Sequence, residues 1–542
     1  MELSVLAGTI LAVVIGLYAV ESAIILSKGT KEPKYVRPRV PLIGHLIGIS
    51  KHTTGPYFTQ IASTQKSGIF VLPVFTLKLY VIVERRLVGA IQRHAKTLSF
   101  TPFAAKVASK LSGVGEIALK MHNHLEGPPE AKEYDRVQRA ALSAGTDLDA
   151  MTLVATKVQM KHVDNLFANA SKTSGARIEL YEWVRHLISV SASEGMFGPM
   201  NPFNDPVHEA DFWYVESGNR TFADASHLMM IGGLTPKLFA RSAVRARERN
   251  GKRYEEYVRR GGVDDSSGLV KARYRVLKAN GATDDEIARI HIGFDIAMLA
   301  NYAPTAFWAL YEVLSRPSLV AEIREEVRNA VVTDGEDADF TLDLSIIKRA
   351  CPLLLSSVQE TQRLNSVQMA IREILRDTNV TIDDKEVLLK KGNFLQVNGI
   401  TMLQSEETWG PNAAEYDPYR FIKMKRTPGT PGVAAANELP PNAFSVWGLA
   451  PHVCPARWYA TGGILAMIAM MVLRFDFDVE EDWKVDESSG RAWKKPQAAK
   501  GFSALPSPAE PVPLFLKARK EFEGKWGVRI GAPSTRLQLS VA

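Results

Sequence analysis

Cys454 is one of two cysteines in 542 residues, and it stands in "FSVWGLAPHVCPAR", just ahead of the apolar run "GGILAMIAMMVL". The small residues Ala456, Ala460, Gly462, Gly463 and Ala466 predict a closely packing helix that begins beside it. A thiol at a helix N-terminus meets free backbone amides and the positive end of the dipole, which favour thiolate. Gly448, Ala450 and Pro451 let the preceding backbone lie close to a flat object, and His452 can donate to an anionic group. A thiolate, a close-approaching loop and a donor side chain together suit haem held by cysteine. A buried core thiol is the competing fate of a lone cysteine, so residues elsewhere in the chain must decide.

Two further sets of residues bear on that choice. In "SSVQETQRLNS", Glu360 and Arg363 share one helix face at i,i+3. The same spacing recurs at Glu133, Glu182, Glu256, Glu286, Glu325 and Glu373, where surface pairs are expected. The Glu360 pair is followed by "EYDPYRF" and then by the cysteine segment. Arg420 can complete a buried Glu–Arg–Arg cluster there, provided every charge is paired. The second set lies in a helix predicted from Thr283, where "TDDE" forms a capping box. The run that follows, "IARIHIGFDIAMLANYAPTAFWALYEVL", is apolar nearly all round and so belongs in a core. Asn301 and Pro304 interrupt it, with Thr305 adjacent. Such a polar break is either an approach for a ligand or a tolerated kink.

These residues need many helices to position them. Strand signals are confined to "FVLPVFTLKLYVIV" (70–83) and "NVTIDDKEVLLKKGNFLQV" (from Asn379), so the class is mainly α with a minor β portion. Two cysteines exclude a disulfide scaffold, zinc fingers and cysteine-bound iron–sulfur clusters. The net charge of +7 comes from 66 basic and 59 acidic residues without a basic–aromatic cluster, which argues against nucleic-acid binding.

Residues 1–27 read as a transmembrane anchor. Leu3–Val20 carries no charge, and eighteen residues span about 27 Å, near the roughly 30 Å of a bilayer core. Lys28, Lys31, Lys34, Arg37 and Arg39 follow, which places the body on the cytosolic side. The sequons at Asn169, Asn219 and Asn379 should then stay unmodified. The basic segment 28–45, with Pro33, Pro38 and Pro41, is expected to be a stiff extended hinge, and 46–542 the catalytic domain.

"WGLAPHVCPAR" resembles the haem-binding loop of cytochromes P450, whose pattern is F-G-x-G-x-H/R-x-C-x-G. Gly448, His452 and Cys454 match, Trp447 replaces the Phe, and Ala450 and Ala456 replace two glycines. Glu360 and Arg363 resemble the family's conserved helical pair, Arg420 its later arginine, and Arg372 falls where a propionate-binding arginine is placed. The anchor and Pro-rich hinge are similar to those of microsomal members. The resemblance spans essentially the whole chain and implies the P450 fold, haem b with Cys454 as axial thiolate, and monooxygenation of a lipophilic substrate. It also implies an endoplasmic-reticulum location and electrons from a separate NADPH–cytochrome P450 reductase, since no flavin region or strand-bound G-x-G-x-x-G is present. By position, Ala300, Pro304, Val367, Gln368, Met369 and Leu505 would line the pocket, and Asn301 and Thr305 would serve catalysis.

The central helix departs from the family's A-G-x-D/E-T. "LANYAPTAFW" has no acid, and is similar to the branch holding sterol 7α-hydroxylases and prostacyclin synthase. That branch includes isomerases that need neither O2 nor reductase, so a haem-thiolate isomerase or dehydratase is the alternative expectation. A W-x-x-x-R motif is absent, and Arg136 and Arg139 in "EYDRVQRAAL" are expected to be solvated. The overall style is similar to fungal secondary-metabolism members, which implies a sterol, terpenoid, alkaloid or polyketide substrate.

Overall fold

The computed structural model describes residues 12, 15–23, 29, 31–74, 77–123, 127–213, 241–333, 338–367, 369–382, 384–423, 439–485, 490–499, 504–537 and 539. Its axis is the helix Asp284–Leu314, 31 residues long, or about 46 Å. The capping box is in place: Glu286 N–H donates to Thr283 Oγ1 at 3.2 Å and Thr283 N–H to Glu286 Oε2 at 3.0 Å. Residues 302–314 are all buried, as an all-round apolar sequence requires. Pro304 sits inside this helix without ending it.

Against the axis pack Leu180–Phe197, Arg241–Arg259 and Pro352–Asn365, with Thr146–Lys172 lying on Leu180–Phe197 and Arg457–Arg474 crossing beside them. The last of these is buried from Thr461 to Arg474. Its small residues allow the close approach: a Cβ on Gly463 would collide with the Tyr302 hydroxyl of the central helix.

The largest sheet holds five strands: β1 Ile69–Val74, β2 Leu77–Ile82, β3 Leu98–Ser99, β4 Met369–Ile374 and β5 Phe394–Asn398. Their spatial order is β1-β2-β5-β4-β3. β5 runs parallel to β2 and antiparallel to β4, so the segment after the Glu360 helix is tied to the N-terminal hairpin. Thr378–Ile382 and Lys385–Leu389 form a separate hairpin, the former alternating buried and exposed as a half-covered strand does.

The hinge is extended only over 33–38; it then turns through 39–43 into the helix Gly44–His52, and the extended part does not hang free. Val36 N–H donates to Val71 O and Val71 N–H to Lys34 O, both at 2.9 Å, which adds the hinge to the edge of β1. Glu32 is buried and receives Lys78 Nζ at 2.9 Å and Tyr80 Oη at 2.8 Å. Among the described residues no helix is long and apolar enough to cross a membrane. The 1–27 span expected to do so lies largely outside them, its described part being a helix over 15–23.

Candidate active site

The chain before Cys454 is a run of tight turns. Gly448 N–H donates to Ser445 O at 2.9 Å, His452 N–H to Leu449 O at 2.9 Å, and Cys454 N–H to Trp447 O at 2.7 Å. Gly448 has φ +92°, and a Cβ there would lie 2.7 Å from His452 O, so only glycine fits this turn. The turns end at Ala456, the N-cap of the helix Arg457–Arg474. Cys454 therefore lies at that helix's N-terminus. Burial dominates and leaves its thiol raised, although the Ala456 and Arg457 amides and the charges of Arg457 and Arg139 pull it down. A ligated metal would add far more in the same direction, since a coordinating thiol is deprotonated outright. The other cysteine is set against such a role: Cys351 is buried, and desolvation beside Glu326 pushes it up to about 12.

Arg372 comes from β4 and reaches the same loop. Its Nη2 donates to Leu449 O at 3.1 Å and its Nη1 to Ile371 O at 2.8 Å. It is only 6 % exposed, and among the described residues it has no carboxylate partner. Desolvation alone pushes it down to about 10. A buried guanidinium without an acid is costly unless an anion joins it. Trp447 likewise keeps a buried Nε1–H with no partner among the described residues, and His452 is half-buried with its ring 6.0 Å from Phe100. A thiol at a helix N-terminus, a loop that admits no side chain at Gly448, and buried donors awaiting carboxylates fit a flat, dianionic, thiolate-bound haem.

Glu360, Arg363 and Arg420 meet behind this loop. Arg363 donates to both Glu360 oxygens at 2.8 Å, and Arg420 Nε donates to Oε1 at 3.0 Å. Arg363 also reaches Leu403 O and Ala413 O at 2.6 and 2.7 Å, and Arg420 reaches Trp409 O and Asn412 O at 2.9 Å. Glu360 and Arg363 are wholly buried, so this saturation is what makes the charges tolerable. The look-alike pairs Glu133–Arg136 and Glu325–Arg328 sit on the surface.

On the central helix, Asn301 is exposed although residues 302–314 behind it are all buried. Ala297 is also exposed, and Gly293 and Ala300 partly so, which makes a stripe of small residues at i, i+4, i+7 and i+8 that protein does not cover. Thr305 Oγ1 donates to Asn301 O at 2.6 Å, and Asn301 Oδ1 accepts Ala504 N–H at 2.8 Å. Val367 N–H donates to Ala504 O at 2.7 Å, so the pocket residues Asn301, Val367 and Leu505 gather around one turn. Pro304 and Leu505 are buried. Met369 is described in its backbone alone, and Gln368 lies outside the described residues.

Arg139, which the sequence reading expected to be solvated, is half-buried. It pairs with Asp135 at 2.8 Å on the helix Pro129–Ala141, yet its charge acts on both Cys454 and Arg457. Arg136, three residues earlier, is the solvated one, 68 % exposed in its pair with Glu133.

The cytochrome P450 family profile matches residues 37–500. The chain belongs to the cytochrome P450 family. It is an oxidoreductase of the P450 monooxygenase type. A cytochrome P450 monooxygenase, nodJ, of Hypoxylon pulicicidum is 32 % identical over 520 residues, covering 94 % of this chain and 95 % of its own. A cytochrome P450 monooxygenase of Gibberella zeae is 27 % identical and covers 83 % of both chains. Cytochrome P450 7B1 of Mus musculus is 28 % identical over 40 % of this chain and 43 % of its own.

Proposed function

We propose that this P450 is a membrane-anchored haem-thiolate monooxygenase that hydroxylates or epoxidises a lipophilic small molecule in fungal secondary metabolism. The observation that carries the haem reading is Arg372, a buried cation bonded to the Cys454 loop and lacking an acid of its own. Cys454 would hold the iron, with Arg372, His452 and Trp447 donating to the propionates and Gly448 allowing close approach. Haem bound there supplies the O2 and one-electron chemistry that amino-acid side chains lack.

The residues of this chain then position and protonate. The stripe of Gly293, Ala297 and Ala300 offers small, apolar contacts to the substrate, with Val367 and Leu505 completing the wall. The Thr305 proton is committed to Asn301 O, so Thr305 serves first as an acceptor, and protons come by water or by a substrate hydroxyl. Electrons come from a separate NADPH reductase on the same membrane. Attachment would be reinforced by the body: Ile43, Leu46 and Ile47 are exposed at i, i+3 and i+4, 37, 36 and 51 % respectively, beside Val40 at 42 %. Glu21, in the described helix over 15–23, accepts Leu42 N–H at 3.4 Å, which sets this apolar face next to the proposed anchor and toward the membrane of the endoplasmic reticulum.

The test is product formation in microsomes that carry the protein and a reductase, fed a library of lipophilic metabolites under labelled O2. The expected result is products with one labelled oxygen, formed only with NADPH and O2. Conversion independent of both would replace this reading by an isomerase or dehydratase, in keeping with the missing acid beside Asn301.

A further inference from the structure

The turn Ala504–Pro506 is pinned from three sides. Ala504 N–H donates to Asn301 Oδ1 at 2.8 Å, Val367 N–H donates to Ala504 O at 2.7 Å, and Trp308 Nε1 donates to Pro506 O at 2.8 Å. Asn301 and Trp308 are two turns apart on the central helix, so the turn is fixed to one side of that helix. A peptide N–H can only donate, so the atom of Asn301 facing it must be the oxygen. The carboxamide is planar, and fixing its oxygen fixes its NH2 at the opposite corner. No described residue accepts from that NH2, and Asn301 is exposed on the uncovered stripe with Ala297 and Ala300.

We propose that Asn301 determines specificity by presenting a fixed N–H donor to a carbonyl or ether oxygen on an otherwise apolar substrate. The proposal rests on the reading of this stripe as the wall of the substrate pocket. It gives the substrate class a second attribute besides lipophilicity: an acceptor oxygen within reach of Asn301. Small apolar neighbours supply no competing partner, so a substrate without that oxygen leaves the donor desolvated and unpaired. If Asn301 merely fastened the helix to the 504–506 turn, its oxygen would matter and its nitrogen would not.

The experiment uses the full-length holoenzyme and reads ligand binding from the perturbation of its haem absorption, with androstanedione and its parent hydrocarbon androstane as the matched probes. The wild type should bind the diketone roughly tenfold more tightly, the scale of one neutral hydrogen bond in a dry site. Asn301→Leu, which removes donor and acceptor, should bind the two alike. Asn301→Asp keeps an oxygen for Ala504 N–H but removes the amide donor, and it too should lose the preference. A wild type that binds both probes equally, or neither, overturns the proposal, as does an Asn301→Asp variant that keeps the preference. The ferrous–CO spectrum of each sample separates these results from failure of the haem-thiolate reading, in which the wild type itself would lack the thiolate signature.

Discussion

Arg372 holds a positive charge that the polypeptide alone does not balance. Two backbone carbonyls solvate it, and its 6 % exposure leaves little help from water. Arg372→Leu should therefore act in opposite directions on two quantities. Melting of the haem-free protein should rise, by on the order of 1 kcal/mol, because an isolated buried charge is removed. Haem retention, followed by dilution or by transfer to an acceptor protein, should fall at least tenfold. A loss of both would make Arg372 a packing residue. Single residues were legible in the sequence where one segment holds all the parts. Gly448, His452 and Cys454 fall within seven positions, and the turn that joins them is local. Arg139 and the Asn301–Ala504 contact were not legible, because 315 and 203 positions separate the partners and only tertiary packing joins them.

At the scale of elements, the helix Pro352–Asn365 is fastened to the 403–420 segment by charges. Removing one member strands the others in a dry site, at a cost of roughly 3–5 kcal/mol. Arg363→Ala and Glu360→Gln should each yield little folded, haem-containing protein, read as the ratio of haem absorbance to total protein. Exposed Arg136→Ala should leave that ratio unchanged. Order along the chain made this cluster legible, since E-x-x-R spacing by itself also marks several surface pairs. A second tie joins Leu180–Phe197 to Pro206–Trp213: His186 Nδ1 lies 2.8 Å from Glu209 and 5.2 Å between ring centroids from His162. The hydrogen bond to Glu209 raises His186 above its ordinary value, with burial and Arg185 opposing. A raised folded-state value stabilises below the unfolded value, near 6.5, and that contribution is lost as pH rises through the folded value. Five other histidines are lowered and act in the opposite sense, so the loss is read as a difference: the stability of wild type in excess of Glu209→Gln should shrink from pH 5 to 8. A pH dependence unchanged in that variant would contradict the assignment.

For the whole molecule, the class was legible because a long helix that is apolar nearly all round has no place except a core, and β signals were short and few. The docking of the hinge was not legible: three prolines predict extension but not a partner, and its pairing with β1 depends on backbone atoms that carry no side-chain signature. Glu32, clamped by Lys78 and Tyr80, shows that folding of the body begins before residue 46. Deletion of residues 1–27 should thus leave a folded haem protein, whereas deletion to residue 45 should not. The first truncation should still sediment with phospholipid vesicles through Val40, Ile43 and Ile47, and release from them should need detergent more than salt. Complete release by salt would assign the contact to the basic residues of the hinge.

The central claim is that Cys454, and not Cys351, is the ligand around which the site is built. The most direct measurement is the ferrous–CO difference spectrum of wild type, Cys351→Ala and Cys454→His, each normalised to folded protein. Wild type and Cys351→Ala should share the spectrum of thiolate-bound haem, and Cys454→His should lose it while still binding haem through imidazole or losing haem altogether. A thiolate spectrum that survives in Cys454→His, or disappears in Cys351→Ala, would contradict the account.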